Sequence, residues 1–472
     1  MPEQFLHGVE VVEIDNGPRP IRTVKSSIIG VIGTAPDADA TAFPLDTPVL
    51  VAGSRAAAAK LDLIGDGKGT LPAALDLIFD QIGAMVVVIR VAEGTGVDAA
   101  GTTLANVLGG VDGVTGHYRG VHALLSARTE LGVVPRILCA PGFTHARTTG
   151  AVLSAVITED GSGYTSAPVV TITGNGVGAA ATATVVDGAL SAITITKPGR
   201  GYTAATIAIT GGGGSGATAT VNLGVLGNAV VSELVGIAER TRAVIIADGP
   251  NTTDEAAVAY RGDWGSKRVF VVDPGAKVQA GADVVDGWAS AAVAGLIAKT
   301  DNDRGFWWSP SNQPINGIVG MGRPVDFMLG DANCRANYLN EHEVATIIRE
   351  DGFRLWGNRT CSSDPKFAFL SVVRTADMLN DSLQRAHLWA VDRNITKTYI
   401  EDVVEGVNAY IRSLVAQGAL LGGNCWPDPD LNSPANISQG KVFFNFDFTP
   451  PYPAEHITFR SQLVNDYIAE IF

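Results

Sequence analysis

Cysteine, positive charge and long apolar runs are all scarce in this 472-residue chain. Its four cysteines, Cys139, Cys334, Cys361 and Cys425, contain no CxxC pair, so the sequence predicts neither a zinc site nor a disulfide framework. Lys and Arg number 34 against 48 Asp and Glu, and the resulting net charge of −14 argues against nucleic acid as a partner. No apolar run approaches the ~20 residues of a membrane helix, so direct membrane insertion is not expected.

The apolar content is high and the charged content is low, at 46% and 17% of the residues. This composition excludes a disordered chain, because there is enough apolar surface to bury in a packed core. A chain of 472 residues is longer than one ordinary core accommodates, so two to four domains are expected.

Short runs rich in Val and Ile alternate with helix-like stretches through the first two thirds of the chain. The predicted strands are 26–35, 85–91, 136–140, 243–248 and 267–273. The predicted helices are 71–82, 120–131, 228–240, 252–262 and 282–299. Strands that alternate with helices form βαβ units around a buried parallel sheet. We therefore predict an α/β body with a mostly parallel sheet, made of residues 24–149 and 225–345.

One connection in this body is far longer than a crossover needs. The strand that ends at Ala140 is followed by a helix only near Gly227, and the residues between them are rich in Gly, Ala and Thr. They also repeat, because GSGYTSAPVVTIT at 161–173 is echoed by GRGYTAATIAIT at 199–210. Alternating Val, Ile and Thr with glycine turns predicts strands. Residues 150–224 are therefore expected to form a small all-β insert in a surface loop.

Residues 346–454 carry the pattern of an α+β C-terminal domain. Thr398 and Glu401 have the spacing of a capping box, which predicts that a helix starts there. The apolar residues that follow share one helical face: Ile400, Val403, Val404, Val407, Ile411 and Leu414. An earlier helix has its own apolar face, made of Leu379, Leu383, Ala386 and Ala390.

Strands with no evident partner lie near both ends of the chain. KVFFNFDFT, from Lys441, alternates phenylalanines with polar residues, and HITFRSQLV, from His456, alternates again. An N-terminal arm (1–23) and a C-terminal arm (455–472) either pair within their own body or add to the sheet of a neighbouring subunit. The arm residues expected to form strands between subunits are Val9, Val11, Ile14, Ile457, Phe459 and Leu463.

Several short stretches partly match motifs for catalysis or cofactor binding, but each lacks a residue or a structural element that the motif requires. The GxGxxG match that ends at Gly216 is followed by another predicted strand, whereas a dinucleotide site needs a helix there. GDGKGT at 65–70 has Gly69 where a phosphate loop needs Ser or Thr. His342 begins an HE pair without the second histidine of a zinc hydrolase. We therefore expect no catalytic, cofactor-binding or metal-binding residues, and no cofactor.

Four long strings in the sequence resemble a single protein family. They are FLHGVEVVEIDNGPRPIRTVKSSIIGVIGTAPDAD from Phe5, DNDRGFWWSPSNQPINGIVG from Asp301, GFRLWGNRTCSSDPKFAFLSVVRTADMLNDSLQRAHLWAVDRNITKTY from Gly352, and KVFFNFDFTPPYPAEHITFRSQLVNDYIAEIF from Lys441. This text resembles phage contractile-tail sheath proteins of the single-chain, P2-like type. The resemblance covers nearly everything except roughly 150–223.

The resemblance implies a structural protein of the virion tail and not an enzyme. Copies would polymerise with themselves as stacked rings, expected to be hexameric, around the inner tail tube protein. Contraction would then drive the tube through the host envelope for genome ejection. Further implied partners are baseplate and tail terminator proteins, with assembly in the cytoplasm of the host bacterium.

The resemblance also implies that the C-terminal domain faces the tube through largely electrostatic contacts. An acidic subunit would then need a local basic patch on the helix from about Arg374 to Lys397. The candidate residues on or next to this helix are Arg374, Arg385, Arg393 and Lys397.

Two other functions stay open at this point. A doubly wound α/β enzyme would have a small-molecule pocket at the carboxyl ends of its parallel strands. An adhesive or carbohydrate-binding structural protein would bind glycans through the 150–224 insert.

Overall fold

The computed structural model describes residues 21–467. The expected arm strands at Val9, Val11 and Ile14 therefore lie outside the described residues. Among the helices that are described, none has the length and apolar character needed to cross a bilayer.

The strands of the described chain are, in order, β1 (Ile29–Thr34), β2 (Val49–Ala52), β3 (Met85–Val91), β4 (Gly110–Val111), β5 (Tyr118–Arg119), β6 (Ile137–Cys139), β7 (Thr148–Ser162), β8 (Val169–Gly174), β9 (Val177–Val186), β10 (Ala189–Arg200), β11 (Ala205–Thr210), β12 (Ser215–Leu226), β13 (Val244–Asp248), β14 (Val269–Val272), β15 (Ala276–Ala280), β16 (Asp283–Gly287), β17 (Gly320–Met321), β18 (Val344–Arg349), β19 (Phe353–Trp356), β20 (Gly422–Pro427) and β21 (Phe444–Thr449).

The helices are α1 (Arg55–Ala58), α2 (Leu71–Gln81), α3 (Ala99–Leu108), α4 (Ala127–Leu131), α5 (Ala229–Thr241), α6 (Asp254–Arg261), α7 (Ala289–Asp303), α8 (Arg335–Glu341), α9 (Leu370–Ala386), α10 (Lys397–Ala416) and α11 (Pro434–Ser438). Short 3₁₀ turns lie at Ala59–Leu61, Gly120–Leu125, Pro365–Phe367 and Leu388–Ala390.

One eight-stranded sheet organises the body, in the order β19-β18-β14-β13-β6-β1-β3-β2. The six central strands are parallel, and only the edge strands β19 and β2 are antiparallel to their neighbours. The expectation of a large, mostly parallel sheet is confirmed. The central strands are buried along almost their whole length because helices cover both faces, as parallel sheets require.

Two buried apolar clusters lie on opposite faces of this sheet. On one face, α7 packs beside α2, and Ala289 to Leu296 are buried without interruption. Gly295 permits this close approach, because a Cβ there would lie 2.7 Å from the carbonyl oxygen of Ile78. On the other face lie α5, α6 and the 3₁₀ turn at Gly120–Leu125.

The helix expected at 282–299 begins later than predicted. Residues 283–287 form β16, which pairs with β15 in a hairpin, and α7 starts only at Ala289. Val284 and Val285 are exposed on that hairpin, so the apolar residues read as the start of a helix belong to a projecting strand. The predicted helix at 120–131 is a 3₁₀ turn followed by the short α4.

The long connection between β6 and α5 is made of the strands β7 to β12, and these strands constitute the insert. They pair as β7 with β12, β8 with β11, and β9 with β10, all antiparallel. The first sequence repeat supplies β7, β8 and β9, and the second supplies β10, β11 and β12. Every pairing therefore joins one repeat to the other, and exchanging the two repeats leaves the pairing pattern unchanged.

The tyrosines of the two repeats occupy equivalent positions, which shows the internal symmetry of the insert. Tyr164 and Tyr202 stand 38 positions apart, and both rings are buried. The amide of Tyr164 donates to the carbonyl of Gly188, and the amide of Tyr202 donates to the carbonyl of Gly150. Those two glycines are also 38 positions apart, so each tyrosine closes an equivalent site across the repeat boundary.

The base of the insert is fixed to the body on both legs. Arg147, just before β7, makes two hydrogen bonds of 2.8 and 2.6 Å to Asp263. Asn228, just after β12, caps α5 and donates to the carbonyls of Phe143 and Ala146. A further ion pair joins Arg200 of β10 to Asp98. These contacts hold the insert at a defined place on the surface.

The C-terminal part packs α9 and α10 against a two-stranded sheet, β20 with β21, around a third apolar cluster. The phenylalanines of KVFFNFDFT therefore lie in a strand paired within its own chain, so the interpretation of that strand as unpartnered is wrong. Gly422 and Gly423 begin its partner strand.

Candidate assembly surfaces

Helix α9 is joined to the body by three Arg–Asp pairs along one face. Arg374 bonds to Asp301 at the end of α7. Asp377 bonds to Arg268 before β14, and Asp381 bonds to Arg136 before β6. Positions 374, 377 and 381 are spaced by three and four residues, so they share one side of the helix. The helix thus crosses the amino-terminal ends of the parallel strands.

The first two pairs are buried and the third is partly buried, so these pairs stabilise the fold of the subunit. The side chains of Arg374 and Asp301 are 4% and 2% exposed, and those of Arg268 and Asp377 are 4% and 6% exposed. Burial raises the pKa of Asp377, and the positive charge of Arg268 opposes that rise. Removing one member would leave an uncompensated buried charge. The pairs therefore fix α9 to the body of its own subunit.

The predicted basic patch is not a single helical surface. Arg374 is buried against Asp301, so the prediction that it faces a tube is corrected. Arg385 lies near the end of α9, Arg393 lies in the turn that follows, and Lys397 is the first residue of α10. Those three are exposed, and the Arg393 guanidinium lies 4.9 Å from the centre of the Trp389 ring.

The turn between α9 and α10 also exposes apolar side chains that the sequence argument missed. Leu388 is 77% exposed and Val391 is 62% exposed. They follow directly after the amphipathic α9, and the run LWAV at 388–391 could have shown that the apolar stripe continues past the helix end. Together with Arg385, Arg393 and Lys397 they form what we call the 385–397 knuckle.

The sheet β20–β21 has open edges. Its two strands pair over six residues each, and neither has a second strand partner within residues 21–467. Asn408 of α10 supports β20 at its edge, because its side chain bonds both the amide and the carbonyl of Cys425 and so occupies that edge at this residue. A two-stranded sheet is marginal alone, so this one depends on that support and can accept further strands.

Beyond β21 the chain leaves the subunit surface. Arg359 holds Glu455 through two hydrogen bonds of 2.8 and 2.6 Å. After this anchor the expected strand residues Ile457, Phe459 and Leu463 are 66%, 91% and 91% exposed. Residues 456–464 form no strand with the described chain. Alternating apolar side chains therefore stand in solvent on a segment that has no strand partner among residues 21–467.

The carboxyl ends of β13 and β14, where a doubly wound enzyme binds its ligand, are filled by the protein's own polar groups. Asp248 accepts 2.7 and 2.6 Å hydrogen bonds from the amide and hydroxyl of Ser290. Asp273 is bonded to Arg323. Burial raises the pKa of Asp248 to about 6. Among the described residues, no group of acidic, histidine and cysteine side chains is arranged to hold a metal ion.

A second buried network continues from Asp273. Arg323 reaches both Asp273 and Asp254, and Asp254 is also bonded to Arg335. This network of alternating charges joins the long segment between α7 and α8 to the end of β14. The charges are satisfied within the subunit, so they serve the fold and are not available to a ligand.

The comparisons with known proteins are consistent with a role in assembly for the body, helix α9 and the sheet β20–β21. Family models match along three stretches: a tail sheath protein Gp18 domain III N-terminal region at 26–91, the phage tail sheath protein central domain at 218–361, and the phage tail sheath C-terminal domain at 362–464. These matches define a structural protein of contractile tails.

Curated relatives match from end to end. The chain is 38% identical to a prophage major tail sheath protein of Pseudomonas aeruginosa, with 99% of this chain and 98% of that protein covered. It is 32% identical to the tail sheath protein of Escherichia phage P2, with the same coverage. The chain belongs to the phage tail sheath protein family. It is a structural subunit of a contractile phage tail sheath, a component of the tail, and the family is not one of enzymes.

Solved structures show the same fold at low identity. The helical sheath of the anti-feeding prophage in its contracted state superposes with a TM-score of 0.60 at 17% identity, covering 98% of this chain and 99% of that chain. The sheath complex of an extracellular contractile injection system, PVC, in its contracted state gives 0.59 at 14% identity, covering 99% of each chain.

Proposed function

We propose that this subunit polymerises by strand exchange into stacked hexameric rings around the inner tail tube, and that the rings contract to drive the tube through the host envelope. The observation that carries the proposal is the open-edged sheet β20–β21 beside an exposed, apolar C-terminal segment. The solved sheath of the anti-feeding prophage is described as helical, which supports assembly by many copies of one fold.

Strand exchange suits a lattice that must change shape without unfolding. An arm that adds to a neighbour's sheet gains backbone hydrogen bonds, each worth about 0.5–1.5 kcal/mol net. Those bonds survive while the linker before the arm reorients. Pro450, Pro451 and Pro453 fix φ and end β21, so the reorientation takes place beyond the anchor at Glu455.

The proposed roles of the parts of the subunit follow the predicted domain boundaries. Residues 24–149 and 225–345 form the body, 346–454 form the C-terminal domain that carries the open sheet, and 150–224 form the insert. The arms, 1–23 and 455–472, hold the lattice together. Contraction then draws on free energy stored when the extended lattice assembles, and no nucleotide is required.

The 385–397 knuckle is the proposed contact with the tube. Its exposed cations give an acidic subunit a local basic surface, and Leu388 and Val391 add apolar area beside them. Exposed ion pairs contribute only ~0.2–1 kcal/mol each. Many weak contacts hold collectively yet break in sequence as contraction spreads. Baseplate and tail terminator proteins are the expected partners at the two ends, with assembly in the host cytoplasm before the tail enters the virion.

Truncation separates strand exchange from folding. We expect the chain lacking residues 1–20, and the chain lacking 456–472, to unfold cooperatively like the full chain and to form no tubes by negative-stain electron microscopy. The second cut retains Glu455, so the anchor to Arg359 stays intact. A matched variant in which Arg359 is replaced by Ala tests the anchor alone. Tubes of normal length from either truncation would refute strand exchange by the arms.

A further inference from the structure

A basic groove lies where the described chain begins, and the proposed strand exchange does not account for it. It encloses about 660 Å³ between the root of the N-terminal arm, the loop before β6 and the end of α9. Four cationic side chains line it, and its lining contains no acidic residue: the cations are Arg22, Lys25, Arg136 and Arg385.

Most of these cations lack counter-charges within the described chain. Arg22 and Arg385 form no ion pair with any residue of 21–467, and the Lys25 ammonium lies 3.8 Å from the sulfur of Met85. Arg136 is the exception, because one of its nitrogens bonds to Asp381. Three positive charges therefore face one cavity without a neutralising partner among residues 21–467.

The buried Arg136 keeps one donor unpaired beside the groove. Its side chain is only 3% exposed, yet its Nε has no hydrogen-bond partner among the described residues. Burial lowers the pKa of Arg136; Asp381 opposes this, and Arg385 adds to it. A buried donor left unsatisfied costs about 1–3 kcal/mol. An anion seated in the groove would offset the surrounding positive charge.

We propose that the acidic N-terminal segment of the same chain, residues 1–20, docks in this groove while the subunit is free, and is released when the subunit joins the lattice. The segment carries Glu3, Glu10, Glu13 and Asp15 against the single Arg19, so its charge complements the groove. Its carboxylates are the anionic ligands that the unpaired guanidinium groups require.

The covalent tether favours the chain's own segment over a neighbour's. The described chain begins at Ile21, and Arg22 already lines the groove. A ligand linked this closely has an effective concentration in the millimolar range.

Docking in the groove and donating a strand to a neighbour exclude one another. This consequence depends on the proposed strand exchange, whereas the docking itself does not. The groove would act as a holder that keeps the arm on its own subunit before assembly, and release of the arm would leave Arg385 free for the 385–397 knuckle.

Hydrogen exchange of the full-length, unassembled subunit tests the docking, with amide exchange in 1–20 followed by mass spectrometry at low ionic strength. We expect exchange at least about tenfold slower than in an unstructured peptide, and loss of this protection in about 0.5 M salt. Arg22→Glu with Lys25→Glu should abolish the protection. Arg412→Glu with Lys441→Glu makes the same change of charge at exposed positions that do not line the groove and should leave the protection intact.

Two further arms of the experiment complete the test. Adding Glu10→Lys and Glu13→Lys to the Arg22→Glu/Lys25→Glu subunit should restore the protection by reversing both partners. A dilution series should leave wild-type protection unchanged, because the contact is within one chain. Fast exchange of residues 1–20 in the wild type, insensitivity to the Arg22/Lys25 reversal, or protection that falls on dilution would each overturn the proposal. Failure of strand exchange would appear only in tube formation and would leave these results unchanged.

Discussion

The guanidinium of Arg374 bonds both carboxylate oxygens of Asp301, each at 2.5 Å, and joins α9 to the end of α7. Both side chains are buried. Arg374→Ala should therefore lower the free energy of unfolding by about 3–5 kcal/mol, because it strands a buried carboxylate. Urea unfolding measures the loss. Arg412→Ala is the control, since it breaks an exposed pair with Glu405 and should cost about 0.2–1 kcal/mol. Equal losses would show that Arg374 does not fix the helix.

The raised pKa of Asp248 leads to a prediction of how the stability of the subunit depends on pH. Its pKa is raised by burial to about 6, above its ordinary value of 3.8, so the folded protein binds this proton more tightly than the unfolded chain does. The contribution is present below the unfolded value and is lost as the pH rises from about 4 through about 6. This difference between the folded and unfolded pKa values of Asp248 corresponds to about 3 kcal/mol in the free energy of unfolding.

Asp248→Asn should remove this loss of stability at higher pH. The asparagine side chain can still bond the backbone N–H and the hydroxyl of Ser290, and it carries no charge. Chemical unfolding at pH values from about 4 to 8 measures the difference, with Asp430→Asn at an exposed position as the control. We expect the Asp248→Asn variant to gain stability relative to the wild type as the pH rises. Parallel stability curves for the two proteins would contradict the assignment.

Removal of the insert should spare the rest of the subunit. Thr148 of β7 pairs directly with Leu226 of β12, so a short Gly/Ser linker can join the two legs without moving them. Replacing 148–226 in this way leaves the contacts of Arg147 and Asn228 in place. We expect folded subunits that form tubes of unchanged helical symmetry and smaller outer diameter by electron microscopy. Loss of folding would show that the insert belongs to the core.

The two halves of the insert should respond alike to equivalent substitutions. A Cβ on Gly176 would lie 2.4 Å from the Tyr202 ring, and one on Gly214 would lie 2.5 Å from the Tyr164 ring. Gly176→Ala and Gly214→Ala should each loosen all six strands, because each repeat is paired only with the other. Hydrogen exchange in 148–226 measures the effect, with the parallel sheet as internal reference. Loss confined to one repeat would refute the interdependence.

The 385–397 knuckle gives a prediction for assembly on tubes. Arg393→Glu with Lys397→Glu should slow sheath assembly on purified tubes and reduce its salt dependence, while the melting temperature stays within a few degrees. Co-sedimentation with tubes at several salt concentrations measures this. Arg412→Glu with Lys441→Glu carries the same charge change at other exposed positions and is the control. Unchanged assembly after the first pair of reversals would exclude the knuckle as the contact.

Local sequence patterns predicted the parallel body well because its signals are strong. Runs such as MVVVIRV at 85–91 are rich in Val and Ile and are buried on both faces of the sheet. The capping box was less reliable, because Thr396 and not Thr398 caps α10 by accepting from the amide of Tyr399. Two threonines two residues apart offer nearly equivalent caps, and the turn before the helix decides between them.

The features that matter for assembly were harder to predict. The partner of β21 is β20, and the strands are separated by a loop and α11, so no hairpin signal connects them. The buried role of Arg374 depends on Asp301, which lies 73 positions away and leaves no trace in local spacing. The basic groove brings together residues from three distant segments. Long-range charge pairing of this kind has no periodic signature in a single sequence.

The pairing of the insert has a consequence for how such tails diversify. Since neither half of the insert has a strand partner of its own, a crossover between genomes inside residues 148–226 would join two halves that do not match. A crossover at Arg147 or Gly227 would transfer a complete unit onto a body that already holds its own anchors. Exchange of this insert between tail lineages should therefore transfer both halves together, with its boundaries at the two legs.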